Sequence, residues 1–244
     1  MTLSDTRWHA INESQYPWER DALDFVRERL PDHDPYAAWA NFEFVSQDGG
    51  INEVDLLVLS PNGLFLVEIK SRQGTVGGDA STWTWETDGR VRTEDSPLLL
   101  ANRKAQRLAS LLKNQKAFNQ SRAPFVEAVV FLSAPGLKLR LEERGRQRVY
   151  LRDQPAADGR PARPGMVALL TQPRNLADRS PIDRTTGRAL ARAMEQIGIR
   201  PTQRSRKISD YLLEKLVFEG PATRTGMRRT SLSRTSTGGS ACTR

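Results

Sequence analysis

The sequence predicts an α/β fold, a sheet with helices packed against it, and three observations predict it. Two neighbouring runs, Asn52 to Leu59 and Leu64 to Lys70, are mostly apolar on both of their alternating faces, as central strands covered on both sides must be. A long run rich in Leu, Ala, Lys and Arg, from Leu98 to about Asn119, follows Pro97 and reads as a helix. Helical and strand patterns then alternate along the chain, and nothing repeats at a fixed period.

The elements follow in order. Ser14 and Pro17 open a helix over Trp18 to Leu30, closed by Pro31, with Leu23, Val26 and Leu30 at helical spacing and Glu19 on the same stripe. Ala38 to Val45 alternates weakly and is expected to be a strand. Ser60-Pro61-Asn62-Gly63 separates the two apolar runs, and Asn-Gly between such runs signals a hairpin. Beyond Gly74, Gly77 and Gly78, the pair Trp83 and Trp85 alternates as on a short strand. After the long helix, Phe125 to Leu132 is a strand ended by Pro135-Gly136, and Arg148 to Leu151 is another. Gln154 to Pro164 reads as a loop. Thr185 to Ile197 is a helix, with Leu190, Met194 and Ile197 on one face. Residues 222–244 hold 10 Ser/Thr, 5 Arg and 3 Gly, with Met227 and Leu232 as the only large apolar side chains. That segment cannot offset the entropy of ordering and is expected to be disordered.

Composition sets the outer bounds. With 244 residues, 38% apolar and 27% charged, the chain can bury a sizeable core, which excludes wholesale disorder. No apolar stretch is long enough for a membrane span, and no secretory signal is visible at the start. The one cysteine, Cys242, and the two histidines, His9 and His33, exclude a disulfide framework and a cysteine- or histidine-rich metal site. A cytoplasmic address is the expectation. The net charge of +8 is uneven: −10 over residues 1–100, +13 over 101–221 and +5 over 222–244. An acidic half beside a basic half suits a metal-using protein acting on nucleic acid, with acids for the ion and bases for phosphates. Dispersed surface charge accounts for the same totals.

The hairpin is the place where chemistry gathers. Alternation puts Asp55 with Leu57 and Leu59, Glu68 and Lys70 with Leu64 and Leu66, and Val54 with Leu56 and Val58 on the other face. One even-length loop sets Asp55 opposite Lys70, the other sets it opposite Glu68. Both place Asp55, Glu68 and Lys70 on one face at roughly 5–8 Å separations. Two carboxylates and an ammonium on central strands are costly unless they pair or hold a cation. The residues therefore read either as a salt-bridge cluster or as a Mg²⁺ site with Lys70 steering a water or a phosphate. Glu19 either reaches that site or complements the dipole of its own helix.

Asp55, twelve residues, then Glu68-Ile69-Lys70, with Glu19 on a preceding helix, resembles the PD-(D/E)xK nuclease pattern. More narrowly, Asn52 to Val58, Gly63 to Lys70 and the later Gly74 resemble the nuclease-related domain called NERD, over about Pro17 to Ala134. The resemblance implies a restriction-endonuclease-like core, a mixed sheet flanked by helices. It implies Glu19, Asp55 and Glu68 as ligands of Mg²⁺ or Mn²⁺, Lys70 assisting the attacking water, and hydrolysis of phosphodiester bonds in nucleic acid, with DNA expected ahead of RNA as the partner. One departure stands out: Ser96-Pro97 opens the long helix, and Leu100 occupies the position where many relatives carry glutamine. Asn102, Lys104 and Gln106 remain as polar candidates for nucleic-acid contact, or as a solvated helix face.

Lys207 to Pro221 is similar to the first strand of a protein kinase domain, as found in NERD-plus-kinase proteins of phage-growth-limitation and BREX defence systems. No catalytic kinase motif follows, so no kinase activity is expected. The implied organisation is a lead-in at 1–16, the nuclease-like core at 17–134, an extension at 135–206, a truncated kinase-like strand at 207–221 and the tail at 222–244, with a reading-frame shift near residue 221 as one origin of that tail. Other phage-defence proteins are the implied partners, with no membrane. The alternative function is a catalytically idle nucleic-acid-binding or docking module.

Overall fold

The computed structural model describes residues 2–156, 161–174, 182–202, 207–208, 211–220 and 223–228, the last three stretches as backbone. In chain order the first elements are β1 (Trp8–Ala10), α1 (Pro17–Arg27), β2 (Ala37–Val45), β3 (Ile51–Ser60), β4 (Gly63–Lys70), β5 (Thr75–Gly78), β6 (Thr82–Thr87) and β7 (Arg90–Asp95). They are followed by α2 (Pro97–Lys113), a 3₁₀ turn (Lys116–Phe118), β8 (Val126–Leu132), β9 (Lys138–Leu141), β10 (Val149–Leu151), α3 (Met166–Thr171) and α4 (Arg184–Ile197). The last strands are β11 (Arg200–Pro201), β12 (Lys207–Ile208), β13 (Tyr211–Gly220) and β14 (Thr223–Arg228).

The main sheet is mixed, in the order β1-β2-β3-β4-β8-β10, with β11 added on β2. Strands β2, β3 and β4 are antiparallel neighbours, whereas β4 and β8 run parallel. Pro61 and Asn62 make the turn between β3 and β4, so Ser60 pairs with Gly63 and Leu57 with Leu66. Asn62 is buried and donates its amide to the carbonyls of Leu169 and Gln172, which locks the turn against α3. Of the two even registers, this is the one that sets Asp55 opposite Glu68.

Helices cover both faces. Leu23, Val26 and Leu30 of the α1 stripe and Met166 and Leu170 of α3 pack on Leu56, Val58, Phe65 and Val67. Ala101, Ala105 and Leu108 of α2 and Leu190 and Met194 of α4 pack on Leu57, Leu59, Leu64 and Leu66. Asp183 caps α4 by accepting from the Thr186 amide at 2.7 Å. The α/β class and the helix-flanked sheet follow the sequence. The first helix ends at Arg27 rather than Leu30, and the long helix gives way to a 3₁₀ turn. Strands β1 and β11 are too short to register as an alternation.

A second, four-stranded sheet, β7-β6-β5-β9, packs Val76, Trp83 and Trp85 on Val130 and Leu132 of β8. It grows out of the first. The parallel pair β4–β8 ends with the Ser133 amide bonded to the Lys70 carbonyl at 3.0 Å. The Lys138 amide then bonds the Gly74 carbonyl at 2.9 Å, and the same two chain segments continue as the parallel pair β5–β9. Gly74 makes the passage possible. Its φ is +103°, and a Cβ there would lie 2.1 Å from the Glu86 carbonyl oxygen.

At the C-terminal end β12, β13 and β14 form an antiparallel sheet. The kinase-like segment, expected as one strand over 207–221, instead contains two: Lys207–Ile208 pairs antiparallel with Tyr211–Gly220. Of the segment expected to be disordered from residue 222, Thr223–Arg228 is described as a strand paired with β13. A strand edge with open amides and carbonyls offers the next segment partners that its own side-chain composition does not supply. Residues 229–244 lie outside the described residues. Among the described residues no helix is long and apolar enough to cross a membrane.

Candidate active site

The site begins with a break in alternation. On β3, Leu56 and Val58 pack towards α1, and Leu57 and Leu59 towards α2. Val54, expected with Leu56, packs instead with Leu57. The partner strand does the same: Ala40 belongs to the α1 side and Phe42 to the α2 side, across Asn41 with φ +52°. Ala40 pairs with Leu56 and Phe42 with Val54, so Asn41 and Asp55 fall on the same rung. Both strands change phase there, and the expected grouping of side chains holds only from Leu56 onward.

The β3–β4 ladder stops at Leu56 and Val67. One residue further, Asp55 Oδ2 accepts from the Ile69 amide at 2.8 Å. The carboxylate thus takes an amide that a continued ladder would have paired with backbone. Burial, then the neighbouring Glu68 charge, push the Asp55 carboxyl up to about 7, against the weaker pull of Lys104, the Ile69 amide and Lys70.

Glu68 is buried at 6% exposure and held from both sides. Lys70 Nζ lies 2.8 Å from Oε1, and Lys104 Nζ lies 2.8 Å from Oε2. Burial alone would raise the Glu68 carboxyl, but the two ammonium groups outweigh it and hold it below the ordinary glutamate value. Lys70 is pulled down by burial and pushed up further by Glu68, Asp55 and Glu94, with a net rise. Asp55, Glu68 and Lys70 therefore lie within electrostatic reach of one another, as expected, although the alternation that grouped them ends at Leu56.

Lys104, weighed as a nucleic-acid contact or part of a solvated helix face, is neither placed nor paired that way. It is 8% exposed and joined to Glu68. Its signal was in the sequence: Ala101, Lys104, Ala105, Leu108 and Leu112 form one buried helical stripe, and a lysine on such a stripe needs an internal acid. Gln106 is exposed, and Asn102 Oδ1 accepts from Arg148 Nη1 at 2.9 Å.

Glu19 stands in the first turn of α1, half-buried. The carbonyl of Trp18 beside it accepts from Ser71 Oγ at 3.3 Å, and Ser71 follows Lys70 directly, so the head of α1 abuts the end of β4. Among the described residues, however, no three His, Cys, Asp or Glu side chains gather closely enough to hold a metal ion. The expected three-carboxylate group with Glu19 is not assembled. Glu19 stands in the first turn, where a carboxylate also complements the dipole of its helix.

A hard divalent cation fits the remaining pair. Asp55 and Glu68 bring two carboxylates close together, and burial and then the Glu68 charge raise the Asp55 carboxyl. Magnesium is commonly bound through one or two carboxylates while keeping several waters, so it needs no third acid. Glu68 would have to share its oxygens with the two lysines.

Residues 14–133 match the family model described as nuclease-related domain. The chain is also 37% identical over 221 residues to the protein "Probable kinase PglW" of Streptomyces coelicolor, covering 90% of this chain and 13% of that protein. The chain thus spans about an eighth of the length of the curated relative that it matches. No solved structure matches it. The hairpin carrying Asp55, Glu68 and Lys70 lies inside the matched segment, and residues 14–133 belong to the nuclease-related domain family.

Proposed function

We propose that this chain carries a metal-dependent nuclease that hydrolyses phosphodiester bonds in nucleic acid, DNA rather than RNA, in defence against phage. The observation that carries the reading is the gathering of Asp55, Glu68 and Lys70 where the β3–β4 ladder stops, inside the segment that matches the nuclease-related domain. Asp55 and Glu68 would hold Mg²⁺ or Mn²⁺. The ion would lower the pKa of a bound water and neutralise charge on the phosphate. Lys70, half-buried and protonated, keeps a donor directed at Glu68 and has further protons to orient a water or a phosphate oxygen. Water adds to phosphorus and the bond to the leaving oxygen breaks, with a proton passing to that oxygen. The similarity to a kinase named for phage growth limitation supports the defence setting, and kinase chemistry is not part of the proposal.

One observation favours a second reading, an idle nucleic-acid-binding or docking module. Both oxygens of Glu68 already have ammonium partners, so the site is partly neutralised without any ion. A nicking assay on supercoiled DNA, run beside a labelled-RNA assay with Mg²⁺, Mn²⁺ and EDTA, separates the two. Cleavage should need the metal and disappear in Asp55→Asn and Lys70→Ala. Salt-sensitive binding with neither metal uptake nor cleavage would leave the docking module.

A further inference from the structure

Two residues beyond Lys70, at most ~7 Å along the chain, Arg72 enters the small sheet in a way that nothing in the carboxylate site explains. Its guanidinium lies over the Trp85 ring, 5.1 Å from the centroid. Its Nη1 is buried without a hydrogen-bond partner and approaches Glu94 Oε2 only to 3.9 Å. Glu94 is occupied elsewhere, accepting from Trp85 Nε1 at 2.9 Å and facing Arg92 Nε at 3.5 Å. A buried guanidinium nitrogen with no hydrogen-bond acceptor is unfavourable. The Arg72 side chain as a whole is 35% exposed, so its accessible part can take an acceptor from outside.

The space in front of it is suited to that. A cavity of about 850 Å³ is lined by Arg72, Trp85, Arg90 and Arg92, with Asp88 as the acid among its lining residues. Arg90 is exposed, and Arg92 is 70% exposed at its side chain, so both can turn towards a ligand. Three guanidinium groups face two carboxylates, Asp88 in the lining and Glu94 beside Arg72 and Arg92, which leaves an excess of one positive charge for an anion. The fork geometry of arginine matches phosphate oxygens two at a time. Its place over the Trp85 ring holds the innermost arginine, so little side-chain entropy is lost on binding.

We infer that this cavity on the small sheet binds a backbone phosphate of the nucleic-acid strand, beside the phosphodiester presented to Asp55, Glu68 and Lys70. The inference rests on the nucleic-acid reading above, and it assigns Arg72, Arg90 and Arg92 the task of holding the strand. A free nucleoside triphosphate offers the same chemistry, and the test separates the two sources.

The full chain is titrated with labelled single- and double-stranded oligonucleotides by fluorescence anisotropy, in EDTA so that binding is read without metal or cleavage, across a salt series. Arg72→Gln and Arg90→Gln should each weaken binding about tenfold and lower the slope of log Kd against log salt by about one. Arg192→Gln, an exposed change on α4, should match the parent. Thermal melts check folding, and Arg90→Gln carries the test if Arg72→Gln disturbs its packing on Trp85. Binding by the two variants equal to that of the parent, or no oligonucleotide binding by the parent, overturns the inference. So does displacement of the parent's oligonucleotide by ATP at concentrations where inorganic phosphate has no effect. Arginine-dependent binding without Mg²⁺-dependent cleavage would sink the nuclease reading and leave this site standing. Cleavage unaffected by both variants would sink this site alone.

Discussion

Asp55 carries the clearest consequence at the scale of single residues. In the unfolded chain its carboxyl ionises near ~4, but in the native protein at about 7. The native state therefore favours the protonated form. Its contribution to stability is whole below pH ~4 and is lost as pH rises to about 7. Glu68, held low by Lys104 and Lys70 against its burial, works in the opposite sense and loses its contribution only as pH falls below its unfolded value. In EDTA the urea midpoint of the parent should fall from pH ~5 to pH ~8, and Asp55→Asn should flatten that fall. Lys104→Ala leaves a buried carboxylate short of one partner and should cost ~3–5 kcal/mol, read by urea unfolding. Gln106→Ala, exposed on the same helix, should stay within ~0.5 kcal/mol. Glu19→Gln tests the helix-start reading, in which cleavage persists in the variant. Asp55, Glu68 and Lys70 were legible because hairpin parity needs only the chain itself. Lys104 required knowing which strand α2 covers, and the phase change at Asp55 depends on the left-handed Asn41 across the sheet.

Among the elements, the hairpin and the two larger helices were readable because each carries its own period. What was not readable is the pairing of β4 with β8 and β5 with β9, since parallel partners are joined by long excursions that leave no local mark. The glycines after Lys70 did mark something. Gly74 and Gly78 adopt φ of +103° and +125°, and a Cβ at either would stand 2.1 Å from a backbone carbonyl oxygen. Gly74→Ala should cost about 2 kcal/mol or more, because carbonyls of a paired strand cannot retreat cheaply. Gly89→Ala meets no atom within 4 Å, and only the backbone strain of φ +72° opposes it. A comparison of the two melting temperatures checks the difference, with Gly74→Ala the lower.

For the whole molecule, the acidic first hundred residues supply the carboxylate site, while arginines for a strand stand on the small sheet and along the basic later part. The two sheets are joined by a ribbon two chains wide, running from β4 and β8 into β5 and β9. A ribbon of that kind resists shear in its own plane but flexes out of it, as a strap hinge does. The pin of this hinge is a hydroxyl pair, Ser71 Oγ to Ser133 Oγ at 2.6 Å, whose Ser71 also holds the head of α1. Beyond the ribbon stand Arg90 and Arg92 on the small sheet, and before it stand Asp55 and Glu68 on the main sheet. Replacing both serines with alanine should therefore speed hydrogen exchange across Thr75–Asp95 while leaving β3 and β4 as protected as before. The span between the jaws would then be set by two hydroxyls.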